Sequence, residues 1–254
     1  MQNSKQRFSN RVADYVKYRP HYPAAIVPYL QHHYGFHADL TVADVGSGTG
    51  ILSQLWLAHG NLVIGVEPNR EMREAAEVLL AGYPYFRSCD ATAEATGLPD
   101  HSVDVISAGQ AFHWFDVARA RAEFARILRP NGWVLLIWND RRTASSPFLR
   151  AYDQLLMTHT SEYAQATHKN HDDAEILSFF ALGTGQLVTF ENVQRFDFAG
   201  LKGRLLSSSY TPAVGDPRHE PLIAALRDIF TRHQHNGLVD FEYDCKVYFG
   251  RLSP

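Results

Sequence analysis

Cysteine is nearly absent. The two present in 254 residues, Cys89 and Cys245, form no disulfide framework and follow no zinc-ligand spacing. Long apolar runs are missing as well. The longest, Trp133 to Trp138, is far too short to cross a bilayer, so no membrane partner is expected. There is no basic block either. Lys and Arg number 24 against 27 Asp and Glu, and the net charge is -3, which speaks against a nucleic-acid footprint and favours a small-molecule partner. Repeats and low-complexity segments are not found. The polar stretch Met1 to Arg7 lacks the apolar core of a secretory signal, and a cytoplasmic address is expected. Thirteen histidines are present, yet neither His32-His33 nor the pair His168 and His171 has a third ligand, so no metal is expected.

What is present is the balance of an ordinary globular protein, 45% hydrophobic and 20% charged. A single domain over residues 1–254 is expected, as monomer or homodimer. From residue 23 to about 140, strand-like runs alternate with helix-like ones. Leu40 to Val45, Asn61 to Val66, Tyr83 to Ser88, Val103 to Ala108 and Trp133 to Trp138 read as strands. Ile51 to His59 reads as a helix stopped by Gly60. Asn69 and Asp116 read as N-caps of two more helices. Pro130-Asn131-Gly132 reads as a turn. The alternation predicts an α/β fold, a Rossmann-like doubly wound, mostly parallel sheet. Residues 141–182 look mainly helical. Leu187 to Phe198 and Leu238 to Leu252 read as strands, the last one antiparallel because no crossover helix follows it. That makes seven strands. The segments 1–35 and about 141–210 fall outside the repeating pattern and are expected to form a helical lid.

Val42-Ala43-Asp44-Val45-Gly46-Ser47-Gly48-Thr49-Gly50 joins a predicted strand to a predicted helix. Glycines let the chain turn sharply and let a ligand approach the backbone. A dinucleotide site wants its third glycine where Ile51 stands, which argues against a nicotinamide oxidoreductase. The loop also lacks the Gly-Lys-Ser/Thr ending of a phosphate loop. It suits a ligand without phosphates. Glu67, at the end of the second strand, can accept hydrogen bonds from both hydroxyls of a ribose. Asp90, after the third, can accept from an adenine amino group.

These stretches, with Glu67-Pro68, Asp90-Ala91-Thr92-Ala93-Glu94, Leu98 to Ile106 and Ile127 to Gly132, resemble the class I S-adenosylmethionine-dependent methyltransferases of the type 11 group. Tyr18-Arg19-Pro20-His21-Tyr22-Pro23 and Gln110-Ala111-Phe112-His113-Trp114-Phe115 resemble the trans-aconitate methyltransferase-like branch. The resemblance implies S-adenosylmethionine as cofactor. It places Gly46, Ser47 and Gly48 around the methionine end, and Asp44 on that loop or on the cofactor amine. Glu67 would hold the ribose, with Pro68 near the adenine. Asp90 and the backbone of Ala91 would hold the adenine, and Gln110 would face the methionine moiety. Arg19, beside Tyr18, would pair with the cofactor carboxylate or serve as a structural ion-pair partner.

For the chemistry, His113 is the candidate base, since it follows the fourth strand and can titrate near neutral pH. It could instead be a packed residue that orients its aromatic neighbours. Trp114 and Phe112 would line an acceptor pocket or belong to the core. Tyr22 and Tyr210 are candidate acceptor contacts. The expected activity is methyl transfer to a small molecule, at a hydroxyl or carboxylate oxygen. The alternative is a non-catalytic S-adenosylmethionine-binding regulatory protein.

Overall fold

The computed structural model describes residues 17–160, 163, 172–208, 210–213 and 215–252. The pair His168 and His171 lies outside them. In chain order the elements are α1 (Ile26–Tyr34), β1 (Thr41–Val45), α2 (Ile51–His59), β2 (Leu62–Val66), α3 (Arg70–Leu79), β3 (Phe86–Cys89) and β4 (Val103–Gly109). A 3₁₀ turn (Phe112–Trp114), α4 (Val117–Ile127), β5 (Leu128–Arg141), α5 (Pro147–His159) and α6 (Asp173–Leu177) follow. The chain continues with β6 (Gln186–Phe196), α7 (Phe198–Leu206), α8 (His219–His233) and β7 (Val239–Gly250).

Seven strands form one sheet in the order β3-β2-β1-β4-β5-β7-β6. The first five pair in parallel and the last strands run antiparallel, as the sequence predicts. The local signals behave as their chemistry requires. Asn69 accepts from the Met72 amide, and Asp116 from the Arg119 amide. Gly60 closes α2 in the left-handed conformation, with φ of 101°.

Among the boundaries that differ from the sequence reading, two have a clear local cause. β3 begins at Phe86 rather than Tyr83, because the amides of Tyr83 and Phe86 are spent on turn bonds to Leu80 and Tyr83 and Pro84 has none to give. Pro130-Asn131-Gly132 is not a turn between elements but an irregularity inside β5. Val103 pairs with Leu128 and Val105 with Trp133, so the register slips there, and Asn131 absorbs the kink at φ of 66°.

The chain divides into two compact units. One comprises residues 21–139, 171–190 and 245–254; the other comprises 1–20, 140–170 and 191–244. In the first unit, alternate residues of each buried strand feed cores on opposite faces. Ala43, Val45, Ile106, Val134 and Leu136 enter one, and Val42, Val105, Leu135 and Ile137 the other. Burial on both faces explains why these strands read as continuous apolar runs. The second unit has its own core, built on Leu149, Tyr152, Leu201, Leu205, Leu222, Leu226, Phe241 and Tyr243. No helix among the described residues is long and apolar enough to cross a membrane.

Candidate functional site

The first unit gathers the carboxyl ends of β1 to β4, and with them most of the residues singled out by sequence. The glycine loop leaves β1 and docks on β2: the amides of Gly46 and Ser47 both donate to the Val66 carbonyl, at 2.8 and 3.2 Å. Gly65 permits the approach, since a Cβ there would stand 3.0 Å from Ser47 Oγ. Gly46, Gly48 and Gly50 all have positive φ, but for different reasons. A Cβ on Gly46 would collide with Ala111 and one on Gly50 with Leu80, each at 2.6 Å. Gly48, at φ of 56°, has nothing within 4 Å of that position. Its bare backbone faces open space, as a cradle for a ligand requires.

Glu67 locks this loop. One carboxylate oxygen accepts from the Gly48 amide at 3.0 Å, the other from the Asn69 amide at 2.8 Å. Pro68 and Ala91 are half-buried beside it in the sequence of strand ends. The exposed Asp90 carboxylate pairs with Arg73 at 2.7 Å, while another nitrogen of Arg73 donates to the Glu67 carbonyl at 2.8 Å. Arg73 therefore ties the end of β2 to the end of β3, a role without any motif to announce it.

Asp44 lies beneath the loop with no solvent exposure. Ser53 donates to one of its oxygens at 2.6 Å and Ser107 to the other at 2.9 Å; the Trp56 indole donates to Ser107 Oγ at 3.0 Å. Of the two roles open to Asp44, this network supports the positioning of the loop. Neither serine was singled out from the sequence, although each is a polar interruption of an apolar run. Burial pushes the Asp44 carboxyl up to about 6, from 3.8. Folding thus favours the protonated form. The stability this confers is full below pH 4 and is lost as the pH rises through 6, amounting to about 3 kcal/mol. Urea titrations of the wild type and Asp44→Asn should therefore diverge between pH 4 and 6, with the fall present only in the wild type. Parallel profiles would mean that Asp44 does not titrate in this range.

At the end of β4, Gln110 holds a left-handed backbone, with φ of 56°, unusual for a residue other than glycine. Its amide donates to the Ile137 carbonyl at 2.9 Å and its side chain to the Asn139 carbonyl at 3.2 Å. Strain of this kind gathers at functional sites. Asn139, buried at the end of β5, was not anticipated. Tyr22 lies against Gly109, where a Cβ would stand within 3 Å of its ring. In the 3₁₀ turn Phe112 is core at 2% exposure, His113 is half-buried, and Trp114 is 50% exposed, its ring 4.7 Å from that of His113. The remaining candidates belong to the second unit. Arg19 donates to the Ser207 carbonyl at 3.0 Å, Tyr18 packs against Gly203, and Tyr210 stacks edge-on with Tyr163. Among the described residues, no cluster of His, Cys, Asp or Glu could hold a metal.

A strand-end glycine loop latched by the next strand's carboxylate, on a mostly parallel sheet with an antiparallel end, defines the Rossmann-like methyltransferase fold. The comparisons agree. Residues 43–136 match the model of the methyltransferase domain family. An uncharacterized methyltransferase of Mycobacterium tuberculosis is 40% identical over 134 residues, 53% of this chain and 52% of the relative. One from Schizosaccharomyces pombe is 35% identical over 150 residues, 59% and 58% of the two chains. The chain thus spans a little over half the length of these curated relatives. A solved structure described as a type II methyltransferase, from Anaeromyxobacter dehalogenans, superposes with a TM-score of 0.64 at 24% identity, covering 93% of this chain and 99% of that one. Another, from Anabaena variabilis, gives 0.65 at 22% identity with the same coverage. The cofactor that the sequence leads one to expect is S-adenosylmethionine. The residues fit it: the cradle at Gly48 is open, and the buried Thr49 hydroxyl of the same loop has no hydrogen-bond partner among the described residues.

Proposed function

We propose that the chain transfers a methyl group from S-adenosylmethionine to a small molecule, at a hydroxyl or carboxylate oxygen. The observation that carries this reading is the latch between Gly48 and Glu67, which joins an open glycine cradle to the carboxylate at the end of the next strand. The bound cofactor supplies a sulfonium-activated methyl group for in-line displacement, so the protein's task is alignment in a site shielded from water. In this reading Gly46, Ser47 and Gly48 hold the methionine end and Asp44 fixes their loop from below. Glu67 takes the ribose hydroxyls, with Pro68 beside the base. Asp90 and Ala91 hold the adenine, for which Asp90 must share its carboxylate with Arg73. Gln110 faces the methionine moiety, and Tyr22 and Trp114, of the same unit, contact the acceptor; Tyr18, Arg19 and Tyr210 belong to the second unit. The motifs Tyr18 to Pro23 and Gln110 to Phe115 support a place near the trans-aconitate methyltransferase-like branch.

The direct test is conversion of S-adenosylmethionine to S-adenosylhomocysteine against a panel of hydroxyl and carboxylate acceptors, with cofactor affinity measured by calorimetry. Tight binding without turnover on any acceptor would replace this reading with a regulatory one. A hydroxyl must lose its proton during transfer, whereas a carboxylate is already anionic. With a hydroxyl acceptor, His113→Ala should therefore lower kcat by roughly 10²- to 10⁴-fold with cofactor affinity unchanged. With a carboxylate acceptor kcat should barely move. A fall in cofactor affinity instead would assign His113 to binding.

A further inference from the structure

We infer that the second unit contains a binding site for a small organic carboxylate, built on Arg204 and Arg141. Its occupation does not depend on methyl transfer. Arg204, on α7, is only 7% exposed. Its Nε donates to the Tyr243 hydroxyl at 3.0 Å and one terminal nitrogen to Ser208 Oγ at 3.3 Å. No carboxylate among the described residues reaches it. Arg141, at the end of β5, pairs with Asp153 at 2.7 Å and donates to the Tyr163 hydroxyl, but its other terminal nitrogen is buried without a partner. Both guanidinium groups lie against the Phe241 ring. Their central carbons lie 5.9 Å (Arg141) and 5.4 Å (Arg204) from the centre of the Phe241 ring, and Arg141 also lies 5.2 Å from that of Tyr152.

The strand pattern explains why no carboxylate of β7 completes the cluster. On β7, Phe241 and Tyr243 enter the core of this unit. Asp240, Glu242 and Asp244 point the other way, where Arg195 and Arg142 take them. Among the described residues, Asp153 pairs with Arg141, and Arg204 has hydroxyl partners only. Arginine cannot shed its proton to relieve this, and an unpaired buried charge is costly. A sequence keeps such a cost where a ligand removes it. The missing partner carries one negative charge and two acceptor oxygens in a plane, which matches the unused donors of a guanidinium fork. Around it stand Tyr152, Tyr163 and Tyr210. Burial raises the first two hydroxyls above the usual tyrosine range, so they stay protonated at neutral pH, and that of Tyr163 donates to Asp153 at 2.5 Å. Aromatic walls and a single excess charge favour an organic carboxylate over a phosphate dianion.

The test is calorimetry on the full chain with sodium succinate and sodium benzoate, against neutral succinamide and inorganic phosphate at matched ionic strength. Saturable binding of at least one carboxylate is expected, with succinamide inert and phosphate weaker. Arg204→Met removes the unpaired charge at similar volume. It should hold or raise the melting temperature while weakening carboxylate binding by more than about tenfold. Arg141→Lys keeps the charge and the Asp153 pair but loses the fork, and should weaken binding in a chain that folds normally. Titration of S-adenosylmethionine into the same samples should be unchanged, which separates failure here from failure of the methyltransferase reading. The inference is overturned if the wild type binds neither carboxylate, if both variants bind as tightly as the wild type, or if Arg204→Met melts far lower with its binding intact.

Discussion

Gly48→Val should abolish binding of S-adenosylmethionine while the sheet stays folded. Two effects act at this position, and their sizes differ. Holding a β-branched residue at φ of 56° costs on the order of 1–3 kcal/mol, which a domain of ordinary stability survives. The side chain would also fill space that is empty of protein atoms, so nothing within the fold needs to move. A ligand resting on that backbone cannot share the space, and the loss should exceed about 100-fold in affinity. Gly46 and Gly50 are poor sites for the same experiment, because their Cβ positions already overlap Ala111 and Leu80 and a substitution would disturb packing first. Circular dichroism reports folding and calorimetry reports binding. Retained affinity in the folded variant would show that the loop is merely a turn.

Glu67→Ala should weaken cofactor binding by about 1.5–3 kcal/mol, roughly 10- to 150-fold in Kd. Part of that loss is direct, since charge-assisted contacts to the ribose hydroxyls disappear. Part is indirect, because the Gly48 and Asn69 amides lose their acceptor and the loop loses its latch. Glu67→Gln separates the two. Its one remaining oxygen can serve a single amide, so an intermediate affinity is expected. An unchanged Kd in Glu67→Ala would place the ribose elsewhere. The residue is 9% exposed at a strand end rather than inside an apolar cluster, so the fold should tolerate both changes.

The first half of the sheet was legible because its signals are local. Gly60, Asn69 and Asp116 each announce a helix boundary within a few residues of where it falls, and the parallel strands, buried on both faces, read as apolar runs. Asn131 was misread for the same reason. A Pro-Asn-Gly triplet carries turn chemistry whether it ends a strand or kinks one, and only the pairing of Val103 and Val105 with β5 decides between them. In the site, Glu67 and the glycine loop were found through spacing. Arg73, Ser107 and Asn139 were not, because each acts on a partner brought near by the fold: Arg73 on Asp90, Ser107 on Asp44, Asn139 beside Gln110. Arg204 left no trace in the sequence. An arginine in a helix is ordinarily a solvated one, and its burial is settled by the packing of α7 with Tyr243 rather than by its neighbours along the chain.

The chain of bonds from Trp56 through Ser107 to Asp44 gives the protein an optical readout of its own interior. The indole is fully buried and donates to Ser107, which in turn donates to the carboxylate under the glycine loop. Any event that changes the charge on that carboxylate alters the electric field along the indole N–H two bonds away. With Trp114 half exposed and readily quenched by a soluble agent, the shielded emission that remains comes in part from a fluorophore wired to the loop, and its colour reports on protonation without a label.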